Sequence, residues 1–171
     1  MEIRMRNSVR FLVLGAAATL LASPVVGQRA DNQILPRSIE LQRQADAQLT
    51  AGKLTEAAEL LETSLAVDPR NRAAFVDLAR VAQKQRLFGK AIRLTTKALE
   101  LEPNDLDAIQ VQGLAMVELG ALPRARENLA KLQRICTSGC KQVNALSTAI
   151  SRGPTVAQAK TPATSVTTKT D

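Results

Sequence analysis

The sequence contains no histidine, tryptophan or tyrosine, and only three phenylalanines and two cysteines among its 171 residues. Without histidine, the chain cannot build a Ser-His-Asp or Cys-His catalytic site, a histidine metal site or a histidine pH switch. Two cysteines alone cannot supply the roughly four ligands of a structural zinc site. Since aromatic residues are scarce, alanine, leucine and valine must build the core, and this composition favours helices.

Several common catalytic motifs are also missing from the sequence. It contains no GxSxG, GxxxxGK[ST], HExxH or GxGxxG segment, and its acidic residues form no recognisable paired set. We therefore predict that the protein is not an enzyme and uses neither a cofactor nor a metal.

The formal net charge is +7, but lysine and arginine are spread along the chain without interleaved aromatic residues. This distribution is typical of solvated helix faces and not of a nucleic-acid surface. We predict no nucleic-acid partner. Binding of anionic envelope material through the basic surface and the C-terminal tail is an alternative function.

The N-terminal residues have the layout of a secretory signal peptide. An apolar run at 11–22 follows three basic residues, and Pro24 comes next; the basic residues are Arg4, Arg6 and Arg10. The apolar run is shorter than the about 20 residues that span a bilayer. We predict a signal peptide at 1–27.

Cleavage is expected after Gly27, with Ala22 as a second position and retention as an uncleaved anchor as the alternative. Removal of residues 1–27 lowers the net charge from +7 to +5. We expect an exported, periplasmic bacterial protein that contacts the membrane only through the signal peptide before cleavage.

An internal repeat of 34 residues dominates the rest of the chain. LAVDPRN at 65–71 returns as LELEPND at 99–105, and a period of this length indicates stacked supersecondary units. Equivalent positions in the three units are Leu41, Phe75 and Ile109; Ala45, Ala79 and Gly113; and Ala57, Ala91 and Ala125.

Apolar spacings of three and four predict two helices in each unit. The predicted helices are 38–51 and 54–67, 72–85 and 88–101, and 106–119 and 122–137. The predicted units are 38–71, 72–105 and 106–139, followed by a capping segment at 140–151, so that the repeat domain covers 38–151. We interpret 28–37 as a lead-in and 152–171, rich in Thr, Ala, Pro and Lys, as a disordered tail.

The spacing resembles the tetratricopeptide repeat (TPR) family over residues 38–137. The resemblance implies an all-α, right-handed α-solenoid of about three helix pairs with a C-terminal capping helix, and a protein or peptide partner on the concave face of the first helices. The positions that would line this groove are Ile39, Gln42, Asp46, Leu49, Ala73, Val76, Arg80, Gln83, Lys84, Asp107, Gln110, Leu114, Val117 and Glu118.

Arg80 and Lys84 lie four residues apart and share a helical face. They could bind a partner carboxylate or phosphate, or form only a solvated basic pair. One subtype of the family grips the C-terminal carboxylates of cytosolic chaperones with Lys and Asn residues. That activity is not expected here, because the matching positions are Gln42, Asp46, Asp77 and Val111.

The segment ICTSGCK at 135–141 contains both cysteines. The even count in an exported chain favours a structural disulfide between Cys136 and Cys140. Gly139 is placed as a left-handed residue that ends the preceding helix, so that Cys140 would fold back towards Cys136. A thiol–disulfide-linked function and free thiols are the alternatives. The cysteine-bounded turn also resembles the end of some exported bacterial TPR proteins.

Overall fold

The computed structural model describes residues 33–155, which contain seven α-helices and no strand. This confirms the predicted all-α repeat fold. The helices are α1 (Pro36–Thr50), α2 (Leu54–Val67), α3 (Arg72–Lys84), α4 (Phe88–Leu101), α5 (Leu106–Glu118), α6 (Leu122–Ile135) and α7 (Lys141–Arg152). The predicted signal peptide at 1–27 and the tail beyond residue 155 lie outside the described residues, and both stay predictions.

Each unit pairs two helices, and the observed ends differ from the predicted ones by two residues or fewer. Helix α1 begins at Pro36, earlier than expected, because proline suits the first turn of a helix. The Leu35 amide just before it donates to Asp68 Oδ2 at 2.9 Å. Helix α6 ends at Ile135, two residues before the predicted end.

A left-handed residue ends the first helix of every pair. Gly52 and Gly120 have φ of 75° and 74°, and Arg86 has φ of 60° at the same register. The next amide then bonds to the carbonyl five residues earlier, which is the Schellman pattern. These bonds are Lys53 to Gln48, Leu87 to Ala82 and Ala121 to Met116, at 2.8–2.9 Å.

Small residues lie where the helices pack most tightly. Ala45, Ala79 and Ala125, which belong to the recurring positions of the repeat, are fully buried. Gly113 on α5 lies against Leu146 of α7, and a Cβ placed at 113 would be 2.6 Å from a Leu146 methyl carbon. The missing side chain at 113 therefore makes room for the capping helix.

At the place that we call a joint, the start of a unit's first helix meets the end of the same unit's second helix and the start of the next unit. The first joint is polar and buried. Ser38 Oγ donates to the Ser64 carbonyl at 2.9 Å, Ser64 Oγ donates to the Ser38 carbonyl at 2.8 Å, and Asn71 Nδ2 donates to Ser38 Oγ at 2.9 Å. These bonds tie together α1, α2 and the start of α3.

The next two joints use other residues in the same register. At the second joint, Arg72 forms an ion pair with Asp105. At the third, Leu132 is fully buried, and the half-buried Leu106 packs against the same apolar cluster. Equivalent positions in one repeat register therefore carry hydroxyls, a charge pair and leucines.

The turn between α6 and α7 differs from the sequence prediction in one detail. Cys136 is the C-cap of α6 and Cys140 the N-cap of α7, and the two form a disulfide with a Cα–Cα distance of 5.9 Å. Gly139 has the expected positive φ, 48°. It does not end α6, however, because that helix has already ended at Ile135; Gly139 instead leads into α7.

No helix within residues 33–155 is long and apolar enough to cross a membrane.

Candidate functional site

One face of the molecule is formed by the first helices of the three units, α1, α3 and α5, and is continued by α7. We refer to it as the first-helix face. A row of polar side chains crosses it: Gln42 Nε2 donates to Asp77 Oδ2 at 2.8 Å, and Gln142 Nε2 donates to Asp107 Oδ1 at 2.8 Å. Helix α7 packs against α5 and α6, so it takes the place that the first helix of a fourth unit would occupy.

Arg80 lies at the centre of this row. Its guanidinium contacts Asp77 Oδ1 at 2.6 Å and Asp107 Oδ2 at 3.0 Å, so it links α3 to α5. Burial alone would lower the pKa of Arg80, but the two carboxylates more than offset it and raise the pKa. Burial disfavours the charged form of Asp107 too and would raise its pKa. Hydrogen bonds from Gln142 and Arg80 outweigh this effect and lower the pKa of Asp107 overall. Arg80 and Asp107 are therefore both charged.

Asp46 lies beside this network without joining it. Among the described residues, its carboxylate has no hydrogen-bond or ion-pair partner. Partial burial and the nearby charge of Asp77 raise the pKa of Asp46, and Arg80 opposes them only in part. A cation brought next to Asp46 would thus pair with a carboxylate that has no partner among the described residues.

Two grooves formed by described residues open on the first-helix face. The first, which we call the Asp46 groove, has a volume of about 250 Å³ and is lined by Gln42, Asp46, Arg72, Ala73, Val76, Asp77, Arg80 and Asp107. The second, the Leu114 groove, has a volume of about 480 Å³ and is lined by Gln83, Lys84, Arg86, Phe88, Leu114, Glu118, Arg152 and Thr155. Together they combine a charged compartment with a larger, partly apolar one.

The two grooves adjoin each other on α3. Arg80 lines one and Gln83 the other, and three helical residues span only about 4.5 Å. Gln83 Nε2 also donates to the Val111 carbonyl at 2.7 Å, which fixes its side chain between α3 and α5. An extended segment of a partner could therefore occupy both grooves.

Seven of the ten residues that the sequence favoured for partner binding line one of the two grooves: Gln42, Asp46, Val76, Arg80, Gln83, Lys84 and Leu114. Val76 is almost completely buried, so it can contribute only to the floor of the Asp46 groove. Leu49 packs against the core of the first unit, and Gln110 is half-buried and lines neither groove.

Two sequence interpretations need correction. Val117 is fully buried in the cluster beneath the capping helix, so it is a packing residue and lines no groove. Val117 was misassigned because α7 covers α5, so that α5 is buried on more sides than α1. Arg80 and Lys84 do not form one clamp, since Arg80 is paired with two carboxylates in the Asp46 groove while Lys84 lines the Leu114 groove.

Sequence reasoning also missed residues that line or support these grooves. Phe88 starts a second helix, whereas the prediction considered only first helices. Gln142 and Thr155 lie beyond the three repeats, in segments interpreted as a cap and a tail. The recurrence of an amphipathic helix at 141–152 was the one signal that another first helix lies there.

A third and smaller cavity, of about 130 Å³, lies beside the disulfide and is lined by Gln133, Cys136, Gly139, Cys140, Val143 and Asn144. Both cysteines are half-buried and neither is free. Within residues 33–155, no group of three or more acidic or cysteine side chains is arranged to hold a metal ion. The disulfide thus acts in this structure as a connection between α6 and α7.

The helix pairs, their period and the polar first-helix face define a helical repeat protein. Residues 48–110 match the family model for the tetratricopeptide repeat. This part of the chain therefore carries TPR units, as the sequence resemblance predicted. Because these repeats are non-catalytic interaction modules, the match also supports the prediction that the protein is not an enzyme.

Solved structures extend this likeness over most of the described chain. The Sgt2 TPR domain from Aspergillus fumigatus aligns with a TM-score of 0.65 at 19% identity, over 84% of this chain and 97% of that domain. The first TPR of Spaghetti (RPAP3), bound to the HSP90 peptide SRMEEVD, gives 0.62 at 20% identity, over 72% and 94%. The TPR2B domain of yeast Sti1, in a complex with pHsp70, gives 0.63 at 18%, over 68% and 97%.

At these identities, the structural likeness establishes the fold alone. No curated protein matches the chain.

Proposed function

We propose that this protein is an exported adaptor that binds an extended segment of another protein along the first-helix face. The observation that carries the proposal is the pair of adjoining grooves, which share α3 and are lined mainly by first-helix residues. Clefts with a partly apolar wall and a few fixed polar groups are the usual form of a binding site. Three of the similar solved domains hold chaperone peptides, which supports a peptide as the ligand.

The charges of the grooves indicate the chemistry of the partner. The carboxylate of Asp46, which has no partner among the described residues, favours a lysine or arginine side chain in the Asp46 groove. In the Leu114 groove, Leu114 and Phe88 offer apolar contact. The expected segment therefore carries a basic side chain next to small or apolar residues.

An acidic peptide such as SRMEEVD, bound by the RPAP3 domain, fits this face poorly. Asp46 and Asp77 stand at positions where the sequence resemblance would require Lys or Asn for carboxylate binding. Like charges brought together across an interface are repulsive. We therefore do not assign a chaperone C-terminus as the partner.

Export is part of the proposal and is supported by the signal-peptide pattern at 1–27 and by the disulfide. Fractionation of the source cells tests it: a periplasmic protein that begins after residue 27 is expected. A full-length chain in the cytosolic fraction would contradict export without touching the groove.

The binding proposal is tested by photo-crosslinking in the source cells. A photoreactive residue at position 114 should trap one defined protein, whereas the same residue at Lys97, exposed on α4, should not. Asp46→Lys should reduce the crosslink at 114 about tenfold, and the matched change Glu59→Lys on α2 should leave it unchanged. Equal yields from positions 114 and 97 would rule out the first-helix face as the binding surface.

A further inference from the structure

The chain turns after the capping helix and stays against the first-helix face. Gly153 ends α7 with φ of 76°, a conformation that favours glycine, and its amide bonds to the Ala149 carbonyl at 3.0 Å. Pro154 follows and cannot continue the helix. The turn therefore directs the next residues away from the helix axis.

Thr155, the last described residue, is bound at the rim of the Leu114 groove. Its backbone amide and its hydroxyl both donate to Glu118 Oε2, at 3.0 and 2.5 Å. Arg152 approaches Oε1 of the same carboxylate at 3.6 Å, and the Glu118 side chain is only 14% exposed. One partly buried carboxylate at the end of α5 thus holds the point where the tail leaves the described structure.

The tail that follows is long enough to cover both grooves. Sixteen residues, 156–171, continue from Thr155. Glu118, which holds Thr155, and Asp107 lie eleven residues apart on α5, which is about 16 Å along the helix. Five extended residues reach at most about 17 Å, so Lys160 can reach the edge of the Asp46 groove at Asp107.

The composition of the tail matches the order of the grooves. Val156 and Ala157 come directly after the anchor, where the groove offers Leu114 and Phe88. Lys160 comes next, at the distance of the groove that contains the unpaired Asp46. This is the chemistry that the first-helix face is expected to select in a partner.

We propose that residues 156–171 occupy the first-helix face of their own chain and compete with the partner segment. The competition, though not the occupancy itself, rests on the proposed function. A tethered segment acts at an effective concentration in the millimolar range. A tail with an intrinsic Kd of about 100 μM would then weaken partner binding about tenfold.

Occupancy is tested by photo-crosslinking within the full chain. A photoreactive residue at position 160 should form intrachain crosslinks to peptides of α3 and α5. A chain with the residues of 156–171 in scrambled order, carrying the same group at 160, should lose most of them. A crosslinked dimer would show that the tail covers a second copy, and crosslinks to α2 or α4, or none, would also overturn the proposal.

Affinity is tested with a labelled synthetic peptide of residues 154–171 as the probe. Fluorescence anisotropy should show binding to a chain ending at Thr155 that is about tenfold tighter than binding to the full chain. Lys160→Glu in the peptide should weaken binding several-fold, and Asp46→Lys in the truncated chain should restore it. Equal affinity of the two chains, or no binding to either, would overturn the proposal.

The two proposals fail in distinguishable ways. If the partner trapped from position 114 binds equally with and without residues 156–171, the tail inference fails and the adaptor function stands. If the tail crosslinks within its own chain while no partner is trapped even after truncation, the adaptor function fails and tail occupancy stands.

Discussion

At the first joint, Ser38, Ser64 and Asn71 are buried and share hydrogen bonds across three helices. At the third joint, the same register holds leucines at 106 and 132, and a disulfide fixes the next helix. Hydrogen bonds need defined directions, whereas leucines tolerate small shifts in packing. One helix-pair geometry can therefore be held by directional polar contacts at one end and by apolar packing with a covalent connection at the other.

The largest expected effect comes from breaking the apolar contact of α7. Leu146→Ala removes a fully buried side chain that fills the space over Gly113, and it should lower the free energy of unfolding by about 2–5 kcal/mol. Chemical denaturation measures this, with the exposed Leu119→Ala as the control, expected to lie within about 0.5 kcal/mol of the parent. A loss at 146 no larger than at 119 would mean that α7 contributes little.

The matching test of the polar joint is Asn71→Ala. This change removes two hydrogen bonds. Asn71 Oδ1 accepts from the Ala74 amide at 3.2 Å as the N-cap of α3, and Asn71 Nδ2 donates to Ser38 Oγ. We expect a loss of about 1–3 kcal/mol in the free energy of unfolding. Asn104→Ala, at an exposed turn position, is the matched control. If both variants unfold at the same denaturant concentration, the polar joint is not stabilising.

Reduction of the disulfide sharpens the same comparison. The bond closes a small loop, so its removal should cost about 2 kcal/mol of stability. Amide hydrogen exchange should then rise in α7 and stay unchanged in α1 and α2, because the latter belong to the polar joint. Reductant should have no effect on a Cys136→Ala/Cys140→Ala chain. Uniform faster exchange over all seven helices would contradict a local role.

Acid should act on the first joint through Asp68. A hydrogen bond from Arg70 is the main cause that lowers the pKa of Asp68 from 3.8 to about 2, against the opposing effect of burial. A lowered pKa stabilises the fold above pH 3.8, and this contribution is lost as the pH falls towards 2. We expect about 1–2 kcal/mol, since the exposed Arg70 side chain is screened by water. Asp68→Asn should flatten this part of the pH–stability curve; an unchanged slope would contradict the assignment.

The smallest expected effect concerns the turns within the pairs. Arg86 has a positive φ where the other two units have glycine, and Arg86→Gly should raise stability by about 0.5–1 kcal/mol because the left-handed conformation is strained for other residues. The reverse change, Gly120→Ala, should lower stability by a similar amount. Thermal unfolding of both variants measures the pair, and a loss from Arg86→Gly would show that its side-chain contacts outweigh the strain.

Much of the fold was predictable because a repeated pattern reports the same local structure three times. The 34-residue period, the glycine and proline positions and the apolar spacing predicted six repeat helices to within two residues at their ends. The candidate site was predictable only in outline. The pattern indicated which helices line the face, but Val117 was assigned to the groove because nothing in its own helix shows that α7 covers it.

The sequence by itself determined the repeat, the helix pairs and the positions of small residues, because these depend on backbone conformation and on spacing along the chain. Only the tertiary structure decided that Arg80 is held between Asp77 and Asp107, while Asp46 has no partner within residues 33–155. It also decided that Thr155 returns to Glu118. The contacts of Arg80 with Asp107 and of Thr155 with Glu118 join residues 27 and 37 positions apart. Their distances depend on how whole helices pack, which local propensity does not encode.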